Sequence, residues 1–480
     1  MSALHPGVRR SDHAGASFAG PTTPPLPRCL AVAAAAALTA LALLIAAISI
    51  PAAPATAATP TPPNHDPFYT PPAGFAHKAP GTILRERQVS VSDTVLPVTG
   101  VAYNAYQLLY RTSDATGRPT TTVTTVLVPK SAAPAGGRQL LEIADPEDSI
   151  DIQCAPSYQL RTGEHSSDGS IASNLTYELP IGLIISTLRS GGDVVIPDHE
   201  GMKSEYLVSG MEGHAALDSI RAVENFKRAG VDGAKTKVGM VGYSGGAHVV
   251  VAAAELQKSY APGLHIVGVA AGGVPVGNVE AYRYFNGGIA NGVIMPLLIA
   301  LNRAYPFHLY SLLNAKGRAF AKKVSTGCAT PVFEDPYGQF SAFTKVPNIF
   351  AVPRVKRAIR RNALGRAAPR AHTFLYNGVN DEIVWIKPLD QMVNYYCAHE
   401  APINYYRDQL GHEHVQDVAN FYPLAVDFLN DAFDGVHAPS TCGQVDNAGP
   451  PPVAAPGPPS TGGVGQPSPP IKTPPPPPIS

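Results

Sequence analysis

The chain has 480 residues, of which 45% are hydrophobic and 15% are charged, so it is long enough for a large core and too apolar to be disordered throughout. Lys and Arg number 36, and Asp and Glu also number 36, so the net charge gives no indication of a nucleic-acid partner. The 49 prolines, about twice the usual share, lie mostly towards the two ends.

Residues 1–57 have the pattern of a secretory signal peptide. A polar start that contains Arg9, Arg10 and Arg28 precedes an unbroken apolar run over residues 29–50, and an Ala-x-Ala site follows at residues 55–57. The run has 22 residues and about 20 can span a bilayer, so an uncleaved membrane anchor is the alternative. No basic flank follows the run, which favours cleavage. The protein is therefore predicted to be secreted or associated with the cell surface.

Residues 58–448 alternate between β-branched runs and helical patterns. The predicted strands are residues 103–110, 121–129, 139–144, 193–197, 237–241, 264–270, 373–376 and 403–406. The predicted helices are residues 181–188, 215–228, 248–256 and 421–433. Apolar strands that alternate with helices are typical of a mainly parallel sheet with helices on both faces. We therefore predict one α/β catalytic domain over this range.

A nucleophile motif follows the predicted strand 237–241. Residues 242–246 read Gly-Tyr-Ser-Gly-Gly, which contains G-x-S-x-G, and a helical pattern comes directly after them. A serine between a strand and a helix sits on a tight turn that exposes its hydroxyl group, and the helix N-terminus offers free N–H groups to an oxyanion. The motif therefore predicts Ser244 as a catalytic nucleophile.

Residues 276–368 interrupt the alternation. They contain apolar helical stretches and no clear strand. An insertion on the loop side of an α/β sheet is a natural place for a cap over a substrate pocket, and we predict a helical cap here. A structural subdomain that never moves is the alternative.

The acid and the base of a serine triad are expected after later strands, in that order. Asp381 comes just after the predicted strand 373–376 and is the candidate acid. After the next strand, residues 411–415 read Gly-His-Glu-His-Val, which offers both His412 and His414 as the base. Spacing alone does not choose between them.

Four cysteines remain once Cys29, which lies in the predicted signal peptide, is set aside. Four cysteines in an oxidising compartment predict two disulfides, for which three pairings exist: Cys154, Cys328, Cys397 and Cys442. No Cys-x-x-Cys or His-x-x-x-His spacing is present, so no metal site is predicted.

Residues 449–480 contain 14 prolines and are predicted to be a disordered tail, with contact to a cell wall as the alternative.

Five segments together resemble the secretory lipase family of α/β-hydrolases. They are PFYTPP, EDSIDIQCAPSY, PDHEG, GYSGGAH and NDEIV, at residues 67–72, 147–158, 197–201, 242–248 and 380–384. The resemblance extends over about residues 66–435 and implies an α/β-hydrolase fold. It also implies a triad of Ser244, Asp381 and His414, with His412 as the second choice for the base.

The resemblance further implies an oxyanion hole formed by the N–H of Gly245 together with Asp148, either through its backbone N–H or through a protonated carboxyl group. In that family the two disulfides would pair here as Cys154–Cys328 and Cys397–Cys442. Trp385 stands where the family often has proline, and the cap sequence is only loosely similar. Acyl-chain preference therefore does not carry over.

Together these features predict a secreted serine ester hydrolase, specifically a triacylglycerol lipase that needs no cofactor. A soluble carboxylesterase or an acyltransferase is the alternative, because both would use the same acyl-enzyme. A binding protein with an inactive hydrolase fold is an alternative from another class. The expected partner is a lipid or other ester at an interface, with no nucleic acid or metal.

Overall fold

The computed structural model describes residues 59–96, 100–163, 181–326, 328 and 332–444. The predicted signal peptide and the proline-rich tail lie outside these residues. Among the described helices, none is both long and apolar enough to cross a bilayer.

A nine-stranded sheet forms the centre of the domain, in the order β1-β2-β3-β5-β4-β6-β7-β8-β9. Strands β4 to β9 run parallel, and β1, β2 and β3 join the sheet by antiparallel pairing. The bounds are β1 Ile83–Val89, β2 Tyr103–Ser113, β3 Pro119–Pro129, β4 Leu140–Ala144, β5 Asp193–Pro197, β6 Val238–Tyr243, β7 Ile266–Gly272, β8 His372–Gly378 and β9 Ile403–Asp408. All eight predicted strands are present, and the mainly parallel α/β prediction is confirmed.

The ninth strand, β1, was not predicted. Its sequence ILRERQV carries three charged residues in a row and has no apolar alternation. It lies at the edge of the sheet, where it pairs only with β2 and keeps much of its surface in contact with water. An edge strand needs no two-sided apolar pattern, so hydrophobicity gave no signal for it.

Helices cover both faces of the sheet. One apolar cluster packs beneath helices Ser209–Glu224, Gly245–Tyr260 and Ile386–Ala398, and another packs beneath Pro156–Thr162 and His414–Asp434, together with residues 181–189, which are also helical. Within β6, Met240 belongs to the first cluster and Val241 to the second, as expected for side chains that alternate across a strand. This two-sided burial explains why the central strands are almost wholly apolar.

Between β7 and β8 lie the residues that were predicted to form a cap, and this region is helical. Its α-helices are Val279–Phe285, Ile294–Ala304, Leu309–Leu312, Ala315–Val324 and Pro353–Asn362. They surround a separate apolar cluster, in which Ile294–Ala304 is the central helix. That cluster also includes Tyr206, Leu207 and Met211, which follow β5. The cap therefore shares an apolar core with the segment that connects β5 to the helix Ser209–Glu224.

Candidate active site

Ser244 occupies the sharp turn between β6 and the helix Gly245–Tyr260. Its φ of 53° is unusual for a residue with a side chain and marks a strained turn. A Cβ added to Gly242 would lie 2.2 Å from the carbonyl oxygen of Gly246, and one added to Gly246 would lie 2.0 Å from that of Ala144. Both glycines are therefore required if the turn is to close, and the serine hydroxyl is left at the carboxyl edge of the sheet.

Three predicted residues meet at this edge in a hydrogen-bonded series. The Ser244 Oγ lies 2.8 Å from His414 Nε2, and His414 Nδ1 lies 2.7 Å from Asp381 Oδ2. The other oxygen of Asp381 accepts hydrogen bonds from the N–H groups of Ile383 (3.0 Å) and Val384 (2.6 Å). With Nδ1–H donated to the carboxylate, Nε2 is free to accept the serine proton.

The surroundings tune His414 as a base. Burial works to lower the pKa of its imidazole, but the Asp381 carboxylate outweighs this and leaves the pKa raised above 6.5. A raised pKa strengthens the imidazole as a proton acceptor.

His414 is also held at its backbone. It is the first residue of the helix His414–Asp434; its N–H donates to Glu382 Oε2 at 2.9 Å, and its carbonyl oxygen accepts from the Tyr243 hydroxyl at 2.6 Å. A Cβ on Gly273 would come within 2.9 Å of the imidazole Cε1. Sequence reasoning missed Glu382 and Tyr243, because neither has a motif role beyond being next to a triad residue.

His412, the other candidate base, lies apart from the serine. Its Nδ1 is 2.7 Å from Asp408 Oδ2, and Asn420 Nδ2 also approaches it, at 2.9 Å. The structure thus brings His414, and not His412, to Ser244.

Asp148 and Gly245 lie against each other beside the serine. Asp148 adopts a left-handed backbone with φ 45°, and a Cβ on Gly245 would come within 1.8 Å of the Asp148 Oδ1. Burial raises the pKa of this carboxyl group to about 7, although the nearby His414 opposes the rise. Near neutrality it therefore exists in part as the acid, which has an O–H donor.

The PDHEG motif supports the loop that carries Asp148. Asp198 accepts hydrogen bonds from the N–H (2.7 Å) and the hydroxyl (2.6 Å) of Ser157, and Glu200 accepts from the N–H of Ser149 at 3.4 Å. Burial raises the pKa of Asp198 to about 7 and that of Glu200 well above its usual range. His199, between them, is buried with its Nε2 2.7 Å from the Asp145 carbonyl oxygen, and burial lowers its pKa to about 4.

A narrow cleft lies between the cap helix Val279–Phe285 and the loop after β8. Its lining is mostly apolar and includes Ile383 and Trp385. The Trp385 ring stacks on the Tyr284 ring, with centroids 5.4 Å apart, and the Tyr284 hydroxyl donates to the Asp381 carbonyl oxygen at 3.3 Å. The cleft is therefore directly beside Asp381.

Both disulfides that the resemblance implied are present. Cys154 in the Asp148 segment pairs with Cys328 in the cap, and Cys397 pairs with Cys442. The first bond joins the segment that carries Asp148 covalently to the cap. The second joins the end of the helix Ile386–Ala398 to the chain that follows the last helix.

Among the residues that the structure describes, one group of side chains has the composition of a metal site. Potential ligand atoms of Asp408, His412 and Asp417 lie within 4.8 Å of one another. The Tyr376 hydroxyl lies 2.9 Å from Asp408 Oδ2 and 3.0 Å from Asp417 Oδ1, and burial raises the pKa of Asp417 to about 7. A shared proton and these hydrogen bonds account for the proximity of the two acids, so the cluster by itself does not require an ion.

Comparison with known proteins gives a consistent picture. A family model described as secretory lipase matches residues 167–441. The chain is 35% identical to lipase A of Arthroderma benhamiae, with 79% of this chain and 82% of that protein aligned, and 32% identical to the secreted triacylglycerol lipase LIP7 of Malassezia globosa (78% and 81%).

Two further matches bear on activity and fold. The probable inactive lipase MT1628 of Mycobacterium tuberculosis is 34% identical, with 78% of this chain and 83% of that protein aligned. The crystal structure of Candida antarctica lipase A in its closed state matches with a TM-score of 0.73 at 28% identity and covers 83% of this chain and 91% of that one.

Proposed function

The chain belongs to the secretory lipase family, and on this premise we propose that it is a triacylglycerol lipase that works through Ser244, His414 and Asp381. One observation carries the proposal: the relay of 2.8 Å and 2.7 Å hydrogen bonds from Ser244 to Asp381 stands beside an apolar cleft under the cap. Membership in this family also makes the protein a secreted one.

The chemistry follows from the positions of these groups. Ser244 Oγ attacks the ester carbonyl carbon while His414 Nε2 takes its proton, and the Asp381 carboxylate stabilises the imidazolium that forms. The N–H of Gly245 and the Asp148 group stabilise the negative oxygen of the tetrahedral intermediate. His414 then protonates the departing alcohol, and a water molecule releases the fatty acid from Ser244 by the same steps in reverse.

The cleft supports a lipid substrate. Burial of each methylene group from water is worth about 0.8 kcal/mol, so a cleft with an apolar lining favours long acyl chains over short ones. Ile383, Trp385 and Leu297 provide such a lining from both the loop after β8 and the cap. We propose a lipid or other ester at an interface as the partner, with the proline-rich residues 449–480 as the segment that would contact a cell wall.

The test compares two substrates and one variant. We expect the protein to hydrolyse an emulsion of long-chain triacylglycerol as well as soluble p-nitrophenyl butyrate, and Ser244→Ala to lose both activities by roughly 10⁴-fold or more. Hydrolysis of the soluble ester alone would leave the triad standing and reduce the function to that of a carboxylesterase. Esters made from an added alcohol in preference to free acid would indicate an acyltransferase.

An inactive protein is the remaining outcome, and one relative carries the description of a probable inactive lipase. A folded protein whose Ser244 is not labelled by an organophosphate would place this chain in the same category. We expect labelling, because His414 Nε2 lies within hydrogen-bond distance of the serine hydroxyl.

A further inference from the structure

The cap differs sharply in charge from the rest of the chain. Residues 276–368 contain 13 Lys and Arg against 3 Asp and Glu, whereas the remaining residues after 57 contain 20 against 32. The overall balance therefore conceals a strongly cationic cap on an anionic body. A charge separation of this size makes the potential near the cap positive.

The helix Pro353–Asn362 shows how these cations are presented. Its buried face consists of small and apolar groups, Val355, Ala358 and Ile359, which belong to the cap's core. Its exposed face carries three arginines, each about one helical turn from the next: Arg354, Arg357 and Arg361. The arrangement leaves a row of guanidinium groups on the outer surface.

Arg354 of this row and two further cations, Lys345 and Arg318, surround an exposed tyrosine. Arg354 Nε donates to the Phe307 carbonyl oxygen at 2.8 Å, Lys345 Nζ donates to the Ser311 carbonyl oxygen at 3.2 Å, and Arg318 Nη1 donates to the Leu313 carbonyl oxygen at 2.6 Å. All three thus bind the one short segment, residues 307–313, that carries Tyr310, whose exposed fraction is 50%. We call this surface the basic patch: Arg318, Lys345, Arg354, Arg357, Arg361 and Tyr310.

Among the described residues, no acidic side chain forms an ion pair with a member of the basic patch. Within the described residues, the ion pair of the cap is Lys323–Glu334 at 2.9 Å, and neither residue is part of the patch. Five cations that lie together without acidic partners repel one another, and an anionic surface would relieve that repulsion.

We propose that the basic patch docks the protein on an anionic lipid surface. Lys and Arg side chains are attracted to anionic headgroups, and a tyrosine ring is favoured at the boundary between headgroups and acyl chains. The inference rests on the proposed function, because hydrolysis of triacylglycerol releases fatty acids and makes the lipid surface anionic. Docking through the cap places that surface next to the element that lines the cleft.

The test uses the purified secreted protein in its Ser244→Ala form, so that the lipids stay intact. Binding to phosphatidylglycerol vesicles is compared with binding to phosphatidylcholine vesicles by co-sedimentation, at low and high salt. The patch variant combines Lys345→Gln, Arg357→Gln and Arg361→Gln. The matched control removes the same charge from exposed lysines outside the cap, as Lys227→Gln, Lys235→Gln and Lys258→Gln.

Each cation near an anionic membrane contributes about a fivefold gain in binding, so the patch variant should bind phosphatidylglycerol vesicles roughly 100-fold more weakly. The control should bind nearly as the parent does, and high salt should weaken the parent's binding. Equal binding to both lipids, or equal losses in the patch variant and the control, would overturn the proposal.

A separate readout distinguishes this proposal from the lipase function. With Ser244 restored, both triple variants should hydrolyse soluble p-nitrophenyl butyrate at the parent rate, which also shows that they are folded. A protein that binds anionic vesicles through the patch yet hydrolyses no ester would refute the proposed function and leave the docking surface in place. An active enzyme without selective vesicle binding would do the reverse.

Discussion

The pH dependence of hydrolysis reports whether the Asp148 carboxyl group donates a hydrogen bond to the oxyanion, and Asp148→Asn tests it. Burial raises the pKa of this group to about 7, with His414 opposing the rise. Below that pH the acid form can donate an O–H, and above it the carboxylate can only repel a negative oxygen. Asparagine has the same shape, tolerates the positive φ, and offers an N–H donor at every pH.

The size of the effect follows from the same pKa. At about pH 9, two units above the pKa, roughly 1% of Asp148 is protonated, so a rate that needs the acid form falls about 100-fold. Loss of one oxyanion donor costs roughly 10²–10³ in kcat in other enzymes, so such a fall is within reach of this interaction. On the acid side the rate falls as His414 becomes protonated, and its pKa is raised above 6.5. The wild-type profile is therefore expected to be bell-shaped.

The assay is kcat/KM for p-nitrophenyl butyrate across this range, read at the wavelength where nitrophenol and nitrophenolate absorb equally. We expect Asp148→Asn to keep the acid limb and lose the alkaline limb, while its thermal unfolding resembles that of the wild type. A wild-type profile that stays level through the alkaline range would refute the reasoning. A variant that keeps the same alkaline fall would do so too, and the donor would then be the backbone N–H.

Further predictions concern the base, the cleft and a disulfide. His414→Ala should lower kcat by roughly 10⁴-fold, whereas His412→Ala should stay within about tenfold, because only His414 hydrogen-bonds to the nucleophile; initial rates on a soluble ester decide this. Trp385→Ala should lower kcat/KM for long-chain esters by about tenfold or more and that for butyrate much less, since the ring lines the cleft; equal losses on both would contradict this. Replacing Cys397 and Cys442 by serine should lower the free energy of unfolding by about 4 kcal/mol in urea titrations, because the bond closes a loop with a sequence separation of 45.

Periodicity predicted the fold well where burial is two-sided. Strands such as β6 and β7 are continuous apolar runs, since they contact helices on both faces, and their predicted positions lie within two residues of the observed ones. The helix Ile386–Ala398 was not predicted, because its apolar residues are interrupted by Pro388 and several polar side chains. Tertiary packing of its buried face, rather than a strong local pattern, accounts for it.

The candidate catalytic residues could be predicted from the sequence only in part, because their positions depend on local backbone geometry that residue types do not fully reveal. Ser244 and Asp381 follow strands, so chain order alone placed them at one edge of the sheet. Choosing between His412 and His414 requires knowledge of where the last helix begins. The structure shows that it begins at His414. Asp148 carries no pattern that announces a left-handed backbone, so its place over Gly245 came only from the family resemblance.

The Cys154–Cys328 bond has a consequence for survival outside the cell. It closes a covalent ring with a sequence separation of 174, and Ser244 lies within that ring. A peptidase that cuts the backbone once between the two cysteines opens the ring without releasing either piece. If the packed core still holds the cut ends in register, the nucleophile stays next to its histidine after the cut. A single nick between Cys154 and Cys328 would therefore appear on a denaturing gel only after reduction.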